Sequence, residues 1–320
     1  ADLLSIESTG GKEVCDEALV NADLPAVVFA LGVLGSRDMG FLWKHMVAAC
    51  RDNGVIPAGD SACGFANTAM VLAEKKMIPA VFAAVVRVAS APRTLVAVEQ
   101  GAVGPCKDCA YEGVYVKAIS GTPIALEGKS AACAHFSPIG NIAAALCDCW
   151  SNESVQNVQL LSGSAPEVSA EQLVYDCRLM NVAARRSKED ALRMRDWLVE
   201  SDAALDPQAY VLHPDVVLRI SREIVKGSTP YERTRLAAAA AVGELRRGAE
   251  DGAFRLDERE ERWGGVSDSV HRDDVGGQIR DGNRRAEQER EQWRTVPDTG
   301  CPRDERRRAT EGHEQAETAH

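Results

Sequence analysis

The sequence predicts an α/β fold of parallel β-α units, of the (β/α)8 TIM-barrel type, incomplete at its N-terminus and followed by added helices. Three observations lead there. Short apolar runs alternate with stretches of helical periodicity through the first half of the chain, the order that gives a parallel sheet covered by helices. Three of these runs end on a polar residue followed by a sharp turn, and in (β/α)8 barrels the chemistry sits on that C-terminal face of the strands. Beyond residue 167 the pattern turns almost wholly helical. An open doubly wound sheet offers the same end-of-strand position; the pattern favours the barrel.

Taken in order, residues 2–7 (DLLSIE) read as a buried strand running into the turn STGG. Residues 12–20 follow as a helix and the apolar run 26–33 as a strand. Phe41, Leu42, Met46, Val47 and Ala49 recur at helical spacing over 39–50, and Asn53-Gly54 closes that helix. Residues 55–60 form the next strand and 67–77 an amphipathic helix. Pro79 starts another helix at its first turn, which Ala91-Pro92 ends. A strand at 94–99 leads into GAVGPCKDCAY, residues 101–111, where glycine and proline forbid a continuing strand or helix. Residues 112–119 read as helix, 124–126 as a very short strand and 141–150 as an Ala-rich helix. Helices at 169–184, 188–201, 214–225 and 231–247 are punctuated by Pro207 and Gly227.

Three regions result: 1–166, a partial barrel; 167–254, a helical part of the same domain; and 255–320, a charged tail. The tail's basic residues are all Arg and its aliphatic residues are sparse. Such a stretch buries too little surface to offset its ordering entropy and is expected to be disordered. A chain that opens inside a core strand with no initiator Met is expected to lack an upstream segment.

Composition removes several functions. The 320 residues carry a net charge of −11 and only 5% aromatic residues, which argues against nucleic-acid binding. No apolar run reaches the length of a membrane span, residues 72–91 being broken by Glu74, Lys75, Lys76 and Arg87, and no secretion signal opens the chain. Ten cysteines in a chain of this size suggest reduced thiols or metal ligands in the cytoplasm, not a disulfide scaffold.

The strand ends 2–7, 55–60 and the turn at 101–111 supply Glu7, Cys63 and Cys109, which are expected to converge on one zinc ion. Two thiolates and a carboxylate satisfy a catalytic zinc site that keeps a fourth position open, and soft sulfur favours zinc over magnesium or calcium. Spacing alone leaves the alternative that each cysteine is a small buried hydrophobe. Cys106-x-x-Cys109 also has the spacing of a redox pair. Cys147 and Cys149, two apart in a helix, face different directions and read as packing residues. His135 near Cys133 reads as a hydrogen-bonded loop histidine. Gly128-Lys129-Ser130 lacks the spacing of a P-loop.

Four motifs, ADLLSIESTGGKEV, IPAGDSACGFANTAM, VASAPRTLVAVEQGAVGPCKDCAYE and CDCWSNESV, together resemble the zinc-containing methanol:corrinoid methyltransferases of methane-forming metabolism, over residues 1–180 and more thinly to about 256. The resemblance implies a (β/α)8 barrel with added helices, and zinc ligands that fall on Glu7, Cys63 and Cys109. It further implies a separate corrinoid-carrying protein docking over the barrel mouth in a hetero-oligomer, and methyl transfer from methanol to its cobalt(I). Asp60, Glu99 and Asp108 are the nearest acids in sequence for assisting the leaving oxygen. The chain departs from the resemblance in lacking the segment expected before the Glu7 motif, in having Cys106 where a glycine is expected, and in its tail. A catalytically inactive homologue that at most binds the corrinoid protein is the alternative reading.

Overall fold

A computed structural model of the chain describes residues 2–108, 111–126, 138–146, 166–254, 256 and 260, all within one compact unit, Ala1–Arg272. Its first half holds two parallel strand pairs. Strand β1 (Leu3–Leu4) pairs with β2 (Ile56–Pro57), Leu3 opposite Ile56. Strand β3 (Cys106–Asp108) pairs with β4 (Ile124–Leu126), Cys106 opposite Ile124. Two backbone hydrogen bonds, from the Val103 N–H to Pro57 O at 2.9 Å and the Gly104 N–H to Ala58 O at 2.7 Å, tie the approach to β3 onto the end of β2. Parallel neighbours thus follow chain order, as β-α units require. The α/β class holds; among the described residues the strands do not close into a barrel.

Helices fill the connections. Helix α1 (Lys12–Val20) runs to Asn21; α2 (Leu24–Phe29) passes through a π-helical turn (Ala30–Gly35) into α3 (Ser36–Asn53), which Gly54 caps in the left-handed conformation. Helix α4 (Cys63–Glu74) follows β2. Helices α5 (Ala80–Ala89) and α6 (Ala91–Glu99) meet at Ser90, and α7 (Gly113–Ser120) joins β3 to β4. Helices α8 (Gly140–Leu146), α9 (Pro166–Arg186), α10 (Lys188–Ala203), α11 (Pro207–Tyr210), α12 (Pro214–Ile224) and α13 (Pro230–Glu250) follow among the described residues.

Two expected strands are helices. Residues 26–33 lie in α2 and the π-helical turn, started by the Asp23 side chain, which accepts from the Ala26 N–H at 3.1 Å, and by Pro25 at the first turn. Residues 94–99 lie in α6, where Pro92 opens the helix. Both runs are buried over most of their length, Val27 to Gly32 and Thr94 to Ala97; burial of most of a helix's surface blurs the helical period and leaves a pattern that reads as strand. The stretches Leu24–Asn53, whose most apolar window is 56% buried, and Ala80–Glu99 are long and apolar enough to cross a membrane, contrary to the expectation from sequence. The most apolar window of the second is 94% buried within the protein, and its two arginines, Arg87 and Arg93, lie in the core. The expected helices over 12–20, 39–50, 67–77, 112–119, 188–201, 214–225 and 231–247 are all present, as is the strand at 124–126. Residues 255–320 lie outside the described residues apart from 256 and 260, as do Cys109, residues 128–130, Cys133, His135, Cys147 and Cys149.

Candidate metal centre

Glu7 lies three residues past β1, and Cys63 is the first residue of α4, reached from β2 through the turn Ala58-Gly59-Asp60-Ser61-Ala62. Because β1 and β2 run parallel, both residues emerge at the same, C-terminal end of the pair. The Glu7 carboxylate accepts a hydrogen bond from the Gly64 N–H through Oε1, which sets it beside Cys63 on the first turn of α4. A helix start presents unpaired N–H groups and positive dipole charge, both of which favour a carboxylate there. Gly64 leaves room for the approach: a Cβ at that position would lie 2.7 Å from Glu7 Oε1 and the carboxylate would have to shift. Glu7 is exposed and Cys63 half-buried, so the pair sits at the protein surface end of the strands.

Cys109, immediately after β3, lies outside the described residues; β3 itself runs parallel to β4, and its approach is tied to β2. Among the described residues no group of three or more His, Cys, Asp and Glu side chains forms a metal-binding cluster. The donor types nevertheless fit zinc in chemistry: a carboxylate beside the helix start that carries one thiol, with the second thiol, Cys109, following β3 in the sequence.

Cys106 has a different place. It is fully buried, its Sγ 3.5 Å from Ala58 O. It presses so closely on Gly59 that a Cβ there would lie 2.2 Å from the sulfur, and Gly59 has φ +127°. A thiol sealed in the β2–β3 junction is a packing residue, inaccessible to a disulfide partner in solution.

Beneath the pair lies a buried polar layer of which the sequence disclosed only Asp60. Asp60 is 5% exposed and accepts from the Ser8 N–H at 3.1 Å. Burial pushes its carboxyl up to about 7, with Arg93 opposing the rise and Glu7 adding to it. Arg93, from the first turn of α6, is fully buried; its Nη2 donates to Ser8 O at 2.5 Å and Ser8 Oγ at 3.1 Å, and its Nη1 to Ser61 O at 3.4 Å. The guanidinium also lies 4.4 Å from the centre of the Phe65 ring. Burial pulls its pKa down, while Asp60 and Glu112 oppose that fall. Glu112, also fully buried, accepts from Thr94 Oγ1 at 2.6 Å and from the Ala62 N–H. The signal for Arg93 was a charge inside an apolar stretch, since a charge buried there must be paired. Of the other two acids considered, Glu99 is 45% exposed in its side chain and ion-pairs with Arg233 of α13, and the Asp108 side chain is not among those described.

Comparison with known proteins gives the same direction. The family described as methanol-cobalamin methyltransferase B subunit (MtaB) matches residues 1–268. The methanol–corrinoid protein co-methyltransferase of Methanosarcina barkeri (strain Fusaro / DSM 804) is 44% identical over 253 residues, covering 78% of this chain and 54% of that protein. The crystal structure of the methanol:cobalamin methyltransferase complex MtaBC from Methanosarcina barkeri contains a chain that superposes with a TM-score of 0.79 at 36% identity, over 95% of this chain and 65% of that one. The chain spans about half the length of the first relative. With a match across most of its length and its fold, the chain belongs to the methanol-cobalamin methyltransferase B subunit family.

Proposed function

We propose that the chain activates methanol at a zinc ion held by Glu7, Cys63 and Cys109 and passes the methyl group to the cobalt(I) of a corrinoid carried by a separate protein, with which it forms a hetero-oligomer. The observation that carries this reading is the Glu7 carboxylate seated on the first turn of α4 next to Cys63. Its relatives' names supply the substrate and the partner class: one is a methanol–corrinoid protein co-methyltransferase and another is part of a methanol:cobalamin methyltransferase complex. The net charge of −11 disfavours nucleic acid as a partner, and ten cysteines in a chain of this size support a cytoplasmic location.

The reaction is methanol plus cobalt(I) corrinoid plus a proton giving methyl-cobalt(III) corrinoid and water. Hydroxide is a poor leaving group, and a bound zinc ion supplies the Lewis acid that takes up negative charge on the methanol oxygen. The protein's own residues set the conditions. Glu7 and Cys63 supply two of the donors at the C-terminal end of the parallel strands β1 and β2. Asp60 is the acid placed to hold a proton at its carboxyl: it is buried, three residues before Cys63 in the chain, and burial pushes its carboxyl up to about 7. Glu99 is held by Arg233 instead.

The test adds methanol to the purified chain with cobalt(I) corrinoid protein and follows the corrinoid's visible absorption. Methanol-dependent conversion to methyl-cobalt(III), abolished by a chelator and restored by zinc, supports the reading. A zinc-loaded chain that binds the corrinoid protein without converting it returns the chain to an inactive homologue.

A further inference from the structure

We propose that Arg93 is a positioning residue for the metal centre, setting the spacing of the loops that carry Glu7 and Cys63, with Thr94 and Glu112 as its second anchor. The inference rests on the zinc reading above. One guanidinium donates to the carbonyl and hydroxyl of Ser8, the residue after Glu7, and to the carbonyl of Ser61, two residues before Cys63. A planar fork that spans two loops fixes their separation in a way a single ammonium cannot. The adjacent residue on α6, Thr94, donates to Glu112 Oε1, and the same oxygen accepts from the N–H of Ala62, the residue before Cys63. Glu112 lies directly before α7, three residues past Cys109 in the chain. The opening turn of α6 therefore holds the Glu7 loop by one route and the Cys63 turn by two.

These links are buried, and Arg93, Thr94 and Glu112 are each at most 1% exposed. Water does not compete for the hydrogen bonds, and the geometry they impose is stiff. Gly35 packs against the Arg93 side chain, where a Cβ would lie 3.1 Å from Arg93 Cδ, so the stem of the arginine is confined as well. The arrangement orients metal ligands through their neighbours in the chain, a role whose loss typically weakens metal binding about 10- to 100-fold.

The experiment measures zinc affinity of the full chain by competition with a chromophoric chelator, and the visible spectrum of the cobalt(II)-substituted chain, in four proteins. Arg93→Lys keeps the charge and removes the fork; Thr94→Val keeps the shape and removes the hydroxyl; Ile220→Val trims the core on α12 and leaves every loop hydrogen bond in place. Circular dichroism and thermal midpoints accompany each. Zinc affinity is expected to fall about 10- to 100-fold in Arg93→Lys and severalfold in Thr94→Val, with the cobalt bands shifted, while Ile220→Val binds zinc as the parent does. Should Arg93→Lys not fold, Thr94→Val against Ile220→Val decides. Parent-like affinity and spectrum in the Arg93 and Thr94 variants overturn this inference and leave the zinc reading intact. Affinity that tracks thermal midpoint in all three variants also overturns it. A parent chain that takes up no zinc overturns the zinc reading and this inference together.

Discussion

At the scale of single residues, the polar layer under the strands makes predictions that separate its members. Asp60 holds its proton in the folded chain to about pH 7 and in the unfolded chain only to the ordinary carboxylate value of 3.8. Between those values the folded state binds the extra proton, so its contribution to stability is fully present below pH 3.8 and is lost as pH rises towards 7. The metal-free chain is therefore expected to lose stability over that window by up to ~1.4 kcal/mol per pH unit, and Asp60→Asn to flatten the dependence. Urea midpoints from pH 4 to 7 check this; identical slopes in both proteins contradict it. In the zinc-loaded chain Asp60→Asn is expected to lower kcat by about 10²-fold with zinc content unchanged. Glu112 escaped the sequence because nothing local marks it, and Arg93 was marked only as a charge inside an apolar stretch. One precedes a helix and the other follows a proline, and only the fold reveals that both side chains point inward to the same loops.

At the scale of elements, the β2–β3 junction is the most sharply constrained. Gly59→Ala would put a methyl group on Cys106 Sγ at a φ of +127°, and a loss of about 2–4 kcal/mol is expected from overlap and backbone strain. Adding Cys106→Ala removes the overlap and should recover part of the loss; the remainder measures the backbone. A denaturant titration showing no loss in Gly59→Ala contradicts the packing described. Helix α13 opens on a capping box: Thr229 accepts from the Glu232 N–H at 3.1 Å and Glu232 returns the bond, so Thr229→Ala should cost about 0.5–2 kcal/mol in the same titration. The amphipathic helices with a solvent face, such as α3, α12 and α13, were legible because their period is set by one wet and one dry side. The helices at 26–33 and 94–99 were not, because a segment buried over most of its surface shows little period to read. Proline carried the same ambiguity: Pro92 both ends one helix and opens the next, and the chain alone does not say which follows.

At the scale of the whole molecule, parallel pairs in chain order bring strand ends to one side, and two residues 56 positions apart in sequence, Glu7 and Cys63, meet there. The family's motifs carried that convergence in the sequence, whereas the spacing of single cysteines did not, since ten were available. The direct test of the whole account is zinc per chain by elemental analysis, for the parent and for Glu7→Ala, Cys63→Ser and Cys109→Ser, after exposure to zinc and removal of the excess. The account predicts one zinc per parent chain, lost or severely weakened in all three variants while each retains its helical circular dichroism. A metal-free parent, or full zinc content in any of the three, contradicts it.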